Sequence, residues 1–336
     1  MQVVDVHTHF IPMEFVDLLR GGEGPPGVEV TDRDGQDPLV VHDNGLAYPV
    51  MPLFHDLGAR LEQMDGDGIG VSLISIVPSL FLYWTDPVQT ERVCRIINDA
   101  GAALAGGSGG RLHALATVPM NAPAAAAAEL RRAHGEHGMR GVEIGTSVGD
   151  MPLDDPSLEP FFAVAEELEM PVMLHPYMSM VSPPGPAVQG FHLANVIGNP
   201  LETFVAASRL IVGGVLDRHP GLRVLLVHAG GAFPYQLGRL QHAYEARAET
   251  RELARLQPAA YIDRFLFDTV IFDRRALRFL IERVGAERVL FGTDIPFDMA
   301  DLSARDLAED VDGPTAEAVL AGNAARAFGL TGVSAA

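Results

Sequence analysis

Leu225-Leu226-Val227-His228-Ala229-Gly230-Gly231 is the stretch on which the reading of the fold turns. Its apolar run begins at Val224 and leaves no residue for a solvated face, as in a parallel strand covered by helices on both sides. It then breaks on a histidine and two glycines. Val289-Leu290-Phe291, ahead of Gly292-Thr293-Asp294, has the same form. Further strand candidates lie at 2–6, 69–77, 111–118, 140–145, 171–175 and 264–270, with the two quoted runs inside 222–228 and 287–293. Helical spacing falls near 53–66, 87–105, 123–136, 156–169, 200–219, 232–256 and 273–284, with a last helix at 314–328. Eight strands alternating with eight helices in 336 residues predict a (β/α)8 barrel, one domain spanning 1–336. A doubly wound open sheet is the alternative. No Gly-x-Gly-x-x-Gly follows the first strand, so its dinucleotide-binding version has no support.

Two long connections interrupt this alternation. Residues 21–52 are rich in Gly, Pro and Asp, and Leu39-Val40-Val41 is placed to pair with Tyr48-Pro49-Val50 as a small hairpin. Residues 177–199 follow the fifth strand and carry Pro183-Pro184-Gly185-Pro186. Loops of this length in a compact domain usually serve a site.

Composition narrows the function. The net charge is −20, from 24 basic and 44 acidic residues. Such a surface repels phosphate backbones and anionic lipid, which argues against nucleic-acid and membrane partners. All the basic residues are arginine. Without lysine there is no Schiff-base chemistry, no phosphate-loop lysine and no metal pair bridged by a carboxylated lysine. The single cysteine, Cys94, cannot form an intramolecular disulfide, and Met1-Gln2 leads straight into a strand, so a cytoplasmic protein is expected.

The histidines carry the chemistry. His7 and His9 end the first strand as His-Thr-His, and positions i and i+2 of a strand share a face. His175 ends the fifth strand, His228 the sixth and Asp294 the eighth. A lone His-x-His is weak evidence, and one strand-end histidine is more often structural. Five such groups at the same rim of a barrel, where barrel active sites lie, point to a metal centre. Imidazoles with a carboxylate suit Zn²⁺, with Mn²⁺ as the alternative. His113 begins its strand, the wrong end for chemistry. His134, His137, His219 and His242 read as solvated helix residues. His42, His55 and His192 lie on inserted loops within reach of the site.

This pattern resembles the metal-dependent amidohydrolase superfamily, and most closely its non-oxidative decarboxylase branch. The resemblance is carried by Asp5-Val6-His7 with His9, His175-Pro176, Gly198-Asn199-Pro200 with Glu202, His228 through Arg239, and Gly292-Thr293-Asp294-Ile295-Pro296-Phe297. It implies that His7, His9, His175 and Asp294 hold one divalent metal. His228 would move protons between substrate and metal-bound water. Asp294 would share in catalysis as well as ligation. It also implies that Arg239 binds a substrate carboxylate from the partner subunit of a homodimer. In the enzyme that typifies the branch, a second carboxylate-binding arginine precedes Pro-Val. Here Tyr48 stands in that place, before Pro49-Val50, which favours a less charged acid. Trp84, just past strand two, is a candidate aromatic wall. The expected activity is therefore decarboxylation of a small unsaturated or aromatic carboxylic acid. The alternatives are a hydrolase or hydratase on the same barrel, or a non-catalytic metal protein.

Overall fold

A computed structural model describes residues 2–178 and 188–331. The Pro183–Pro186 part of the second long loop lies outside the described residues. In chain order the strands are β1 (Val3–Phe10), β2 (Val28–Arg33), β3 (Gln36–His42), β4 (Ala47–Pro49), β5 (Ile69–Ile76), β6 (Leu112–Ala114), β7 (Ala116–Thr117), β8 (Val142–Gly145), β9 (Ser147–Val148), β10 (Met151–Pro152), β11 (Val172–His175), β12 (Val224–Leu226) and β13 (Phe265–Phe267).

Parallel pairing runs in the orders β1-β5-β6 and β7-β8-β11-β12-β13. β6 and β7 are halves of one strand split at Leu115, whose N–H donates to the Ile74 carbonyl at 2.9 Å. The last barrel position is filled by 289–295. Leu290 N–H donates to the Phe267 carbonyl at 2.8 Å, and the Phe291 carbonyl accepts from Val6 N–H at 2.9 Å. The ring thus closes between β13 and β1 as a (β/α)8 barrel. Of the expected strand at 287–293, Glu287 and Arg288 lie in a 3-10 turn and the chain beyond is extended with single bridges rather than a ladder. Gly292, Thr293 and Asp294 leave the regular path as they turn toward the barrel mouth.

The helices follow the expected order with breaks at identifiable residues. Asp56 accepts from Ala59 N–H and starts the helix Leu57–Asp67, separating it from Pro52–His55. The 200–219 stretch divides at Gly214, which has φ of 70°, into Asn199–Val212 and Val215–Arg218. The 232–256 helix stops at Ala246. The last helix becomes Gly313–Glu317, a wide turn, and Asn323–Phe328. Met13–Arg20 is a helix that periodicity passed over, being only two turns long. The expected hairpin is present, with Val40 opposite Tyr48, and β2 adds a third antiparallel strand.

β1 contains the feature that shapes the interior. Its register with β5 slips between Asp5 (opposite Ser72) and Thr8 (opposite Ile74), so β1 spends one extra residue there. That bulge changes which face alternate residues occupy. Val4 and Val6 pack inward with Leu73, Met173, Leu225 and Leu290 to form an apolar floor. Beyond the bulge His7 and His9 also point inward, each ring centroid 5.1 Å from that of His175. Asp5 and Thr8 turn outward, where Thr293 Oγ1 donates to Asp5 at 2.6 Å and Thr8 Oγ1 donates to the Leu73 carbonyl at 2.7 Å. Ala321, Ala324 and Phe328, from the final turn and helix, seal the floor from below.

Candidate active site

The site stands on this floor. The Nε2 atoms of His7 and His9 lie 3.2 Å apart, and Asp294 Oδ1 lies 3.5 Å and 3.1 Å from them. The rings are fixed from behind. His7 Nδ1 meets Asp268 Oδ2 at 2.6 Å, His9 Nδ1 the Ile76 carbonyl at 3.1 Å, and His175 Nδ1 the Pro176 carbonyl at 2.8 Å. With Nδ1 committed as donor, the Nε2 atoms of His9 and His175 present their lone pairs to the same space, and that of His7 does so once its second proton is displaced, the arrangement in which outer partners orient metal-ligating imidazoles. His175 Nε2 and Asp294 Oδ1 are buried and have no partner among the described residues. Two unsatisfied ligand atoms facing two others make the donor set fit a divalent cation.

Charge agrees with geometry. Asp268, Glu143 and Asp294 are all buried. Burial opposes a charge on His7, yet Asp294 and Asp268 outweigh it and raise its pKa to about 9. Burial likewise opposes the Asp294 charge, but His7, His228 and His9 hold that carboxyl well below its usual range. Burial instead lowers His9 and His175, keeping both neutral and fit to ligate.

His228 joins the same cluster, its ring centroid 5.0 Å from that of His175 and its ligand atoms grouped with those of His7, His175 and Asp294. Its Nε2 lies 3.4 Å from Asp294 Oδ2, its Nδ1 is buried with no hydrogen-bond partner among the described residues, and its ring opens on the cavity. It sits at φ of 54° and Asp294 at 66°, conformations that side chains rarely adopt. Such strain collects at functional sites when the surroundings impose it. Asp268 does the imposing, accepting from the backbone N–H of His228 at 3.0 Å and of Ala229 at 2.6 Å. Gly292 gives the space: a Cβ there would lie 2.9 Å from His7 Cβ and 3.0 Å from Asp268 Cβ.

A cavity of about 450 Å³ lies above, lined by His175, His228 and Asp294 and by Tyr48, Ser79, Phe54, His192 and Phe297. Trp84 is 43% exposed in an adjoining hollow with His42 and Tyr177, beside the metal cavity rather than in its wall. Arg239 is exposed on the helix Phe233–Ala246, away from its own chain's cavity. Glu202 ties the fifth-strand loop down, accepting from Tyr177 N–H and Met178 N–H at 3.1 Å each. His219, expected to be solvated, is buried between Glu159 and Glu166, because its short helix packs back on Glu159–Glu167. Asp268 and Glu143 escaped the sequence reading. Both carried a signal: Asp268 ends its strand as the ligands do, and Glu143 is an acid inside the apolar run Val142–Ile144.

A closed parallel barrel with converging imidazoles and carboxylates at its C-terminal mouth defines a class of metal-centred enzymes. The chain belongs to the amidohydrolase family, whose model matches residues 4–330. It is 30% identical over 331 residues to 2-amino-3-carboxymuconate-6-semialdehyde decarboxylase of Dictyostelium discoideum, covering 97% of this chain and 91% of that one. It is 30% identical to gamma-resorcylate decarboxylase of Rhizobium radiobacter, covering 72% and 77%. Among solved structures it resembles 5-carboxyvanillate decarboxylase of Sphingomonas paucimobilis, with a TM-score of 0.81, 25% identity, and coverage of 98% and 99%.

Proposed function

We propose that the protein is a metal-dependent non-oxidative decarboxylase of a small unsaturated or aromatic carboxylic acid. The observation that carries this reading is the convergence of the His7, His9, His175 and His228 imidazoles and Asp294 under a largely apolar cavity, with His228 cast as the proton carrier rather than a ligand. In it His7, His9, His175 and Asp294 hold one divalent cation, Zn²⁺ by donor set with Mn²⁺ as the alternative. When bound there, such a cation would supply positive charge beside the acid and so favour loss of its carboxylate. The bond to the carboxylate carbon cleaves, CO₂ leaves, and the electron pair stays on the ring or chain carbon. His228 delivers the proton that takes the place of CO₂, and Asp294 Oδ2 orients its ring. No oxidant enters.

The functional unit in this reading is a cytoplasmic homodimer. Ile197, Leu201 and Val205 recur every four residues and are each about half exposed, at 46%, 49% and 51%, a face suited to a second copy. Arg239 would reach the substrate of that copy, while Tyr48 meets the substrate within its own chain and Trp84 stands at the cavity's edge. The test is CO₂ release by the metal-loaded protein from a panel of hydroxybenzoates and muconate-like acids. Hydrolysis or hydration of the corresponding esters or enoic acids, with no CO₂ from any acid, would replace this reading.

A further inference from the structure

The wall of the metal cavity nearest the three-stranded insertion carries no charge. Its polar side chains are Tyr48 and Ser79, set among Leu46, Met51 and Phe54. No arginine lines the cavity among the described residues, the chain has no lysine, and residues 179–187 contain no basic residue. Tyr48 is held in place by its own chain. Ser79 Oγ donates to the Tyr48 hydroxyl at 2.8 Å, and His42 Nε2 lies 3.2 Å from the same oxygen. Burial lowers His42 to about 4 and pushes the Tyr48 hydroxyl up, so both are neutral near pH 7. The cavity lining also includes the carboxylate of Asp298.

We infer that the Tyr48–Ser79 pair sets specificity, and that the substrate is a monocarboxylic acid presenting a neutral hydroxyl to that pair. This rests on the decarboxylase reading and names its substrate class. A hydroxyl both donates and accepts, so it suits either tautomer of His42. If His42 Nε2 is bare, Tyr48 gives it a proton and turns a lone pair to the cavity. If Nε2 carries the proton, Tyr48 accepts it and turns its own O–H inward. A second carboxylate brings lone pairs and a negative charge only. Against this wall it loses water and finds no cation in its own chain, and the second copy's Arg239 is assigned to the carboxylate that leaves. The one carboxylate the site favours is the one that leaves.

The experiment compares three acids on the metal-loaded protein: a hydroxybenzoate, benzoate, and the diacid with a carboxylate where the hydroxyl was. The hydroxy acid is expected to lead in kcat/KM by about tenfold over benzoate and by about 10² over the diacid. Tyr48→Phe and Ser79→Ala should each raise KM for the hydroxy acid severalfold with metal content unchanged, and Tyr48→Arg should turn preference toward the diacid. Should one variant fail to fold, the other carries the same test. A diacid handled as well as the hydroxy acid, or a hydroxy-acid KM untouched by both truncations, overturns the inference while decarboxylation stands. Titration calorimetry with resorcinol and isophthalate reads the wall without turnover. Tighter resorcinol supports the inference and tighter isophthalate overturns it, while the CO₂ assay alone decides the decarboxylase reading.

Discussion

His42 shows how a single residue ties folding to pH. Burial lowers its pKa from 6.5 to about 4 in the fold, with Asp43 opposing, while the unfolded chain keeps the ordinary value. Between those values the unfolded chain binds more protons, so stability is full above pH 6.5 and falls as pH drops toward 4. His42→Asn should flatten that limb, and Tm measured from pH 7 to pH 4 for both proteins checks it. A parallel loss in both would assign the acid sensitivity to other groups. At the metal site, His7→Ala and His175→Ala should lose most of about one divalent ion per chain in elemental analysis. His228→Ala should keep the ion and lose turnover by about 10²–10⁴. Equal metal loss there would place His228 among the ligands. These residues were legible because strand ends announce themselves: an apolar run stops on a ligand-type side chain. Glu143 was not, since it sits mid-run, and Asp268 carried the same signal but was passed over because the expected strand 264–270 ran beyond it.

Along β1 the sequence carried less than the structure uses. Period-2 alternation places Val4, Val6 and Thr8 on one face and Asp5, His7 and His9 on the other. The bulge breaks that parity, and a one-residue slip is invisible in a run of buried residues. The break separates an apolar floor from a polar mouth, and the two respond differently to substitution. Leu225→Ala in the floor should cost about 2–5 kcal/mol, as large-to-small core changes do, read by chemical denaturation with metal affinity little changed. Gly292→Ala should do the reverse. Its methyl would press on His7 and Asp268, so metal affinity should fall by about 10–100-fold, the usual effect of disturbing a ligand's outer partner. Metal titration that found wild-type affinity in Gly292→Ala would remove the steric account. Helix breaks at Asp56 and Gly214 had readable signals, a capping acid and a glycine, but spacing alone merged the pieces.

For the whole molecule, the barrel was legible from the alternation of both-face-apolar strands with helices, whereas assembly depends on a surface. Leu201→Asp should charge the exposed face of Asn199–Val212 and shift the protein toward monomer in sedimentation, with activity falling alongside. Arg239→Ala chains mixed with His175→Ala chains should regain activity that neither parent has, because one pocket of the mixed dimer keeps both an intact metal site and an intact arginine. No recovery would place Arg239 in cis. The closure of the ring has a consequence for how the protein is made. Thr293 bonds to Asp5 across 288 positions of sequence, and the floor under β1 is sealed by Ala321, Ala324 and Phe328 near the end of the chain. A ribosome that has released His7 and His9 must still add nearly the whole polypeptide before Asp294 can join them. In the proposed ligand set a nascent fragment lacks its carboxylate, so the complete four-ligand site forms only after residues near the end of the chain have been added.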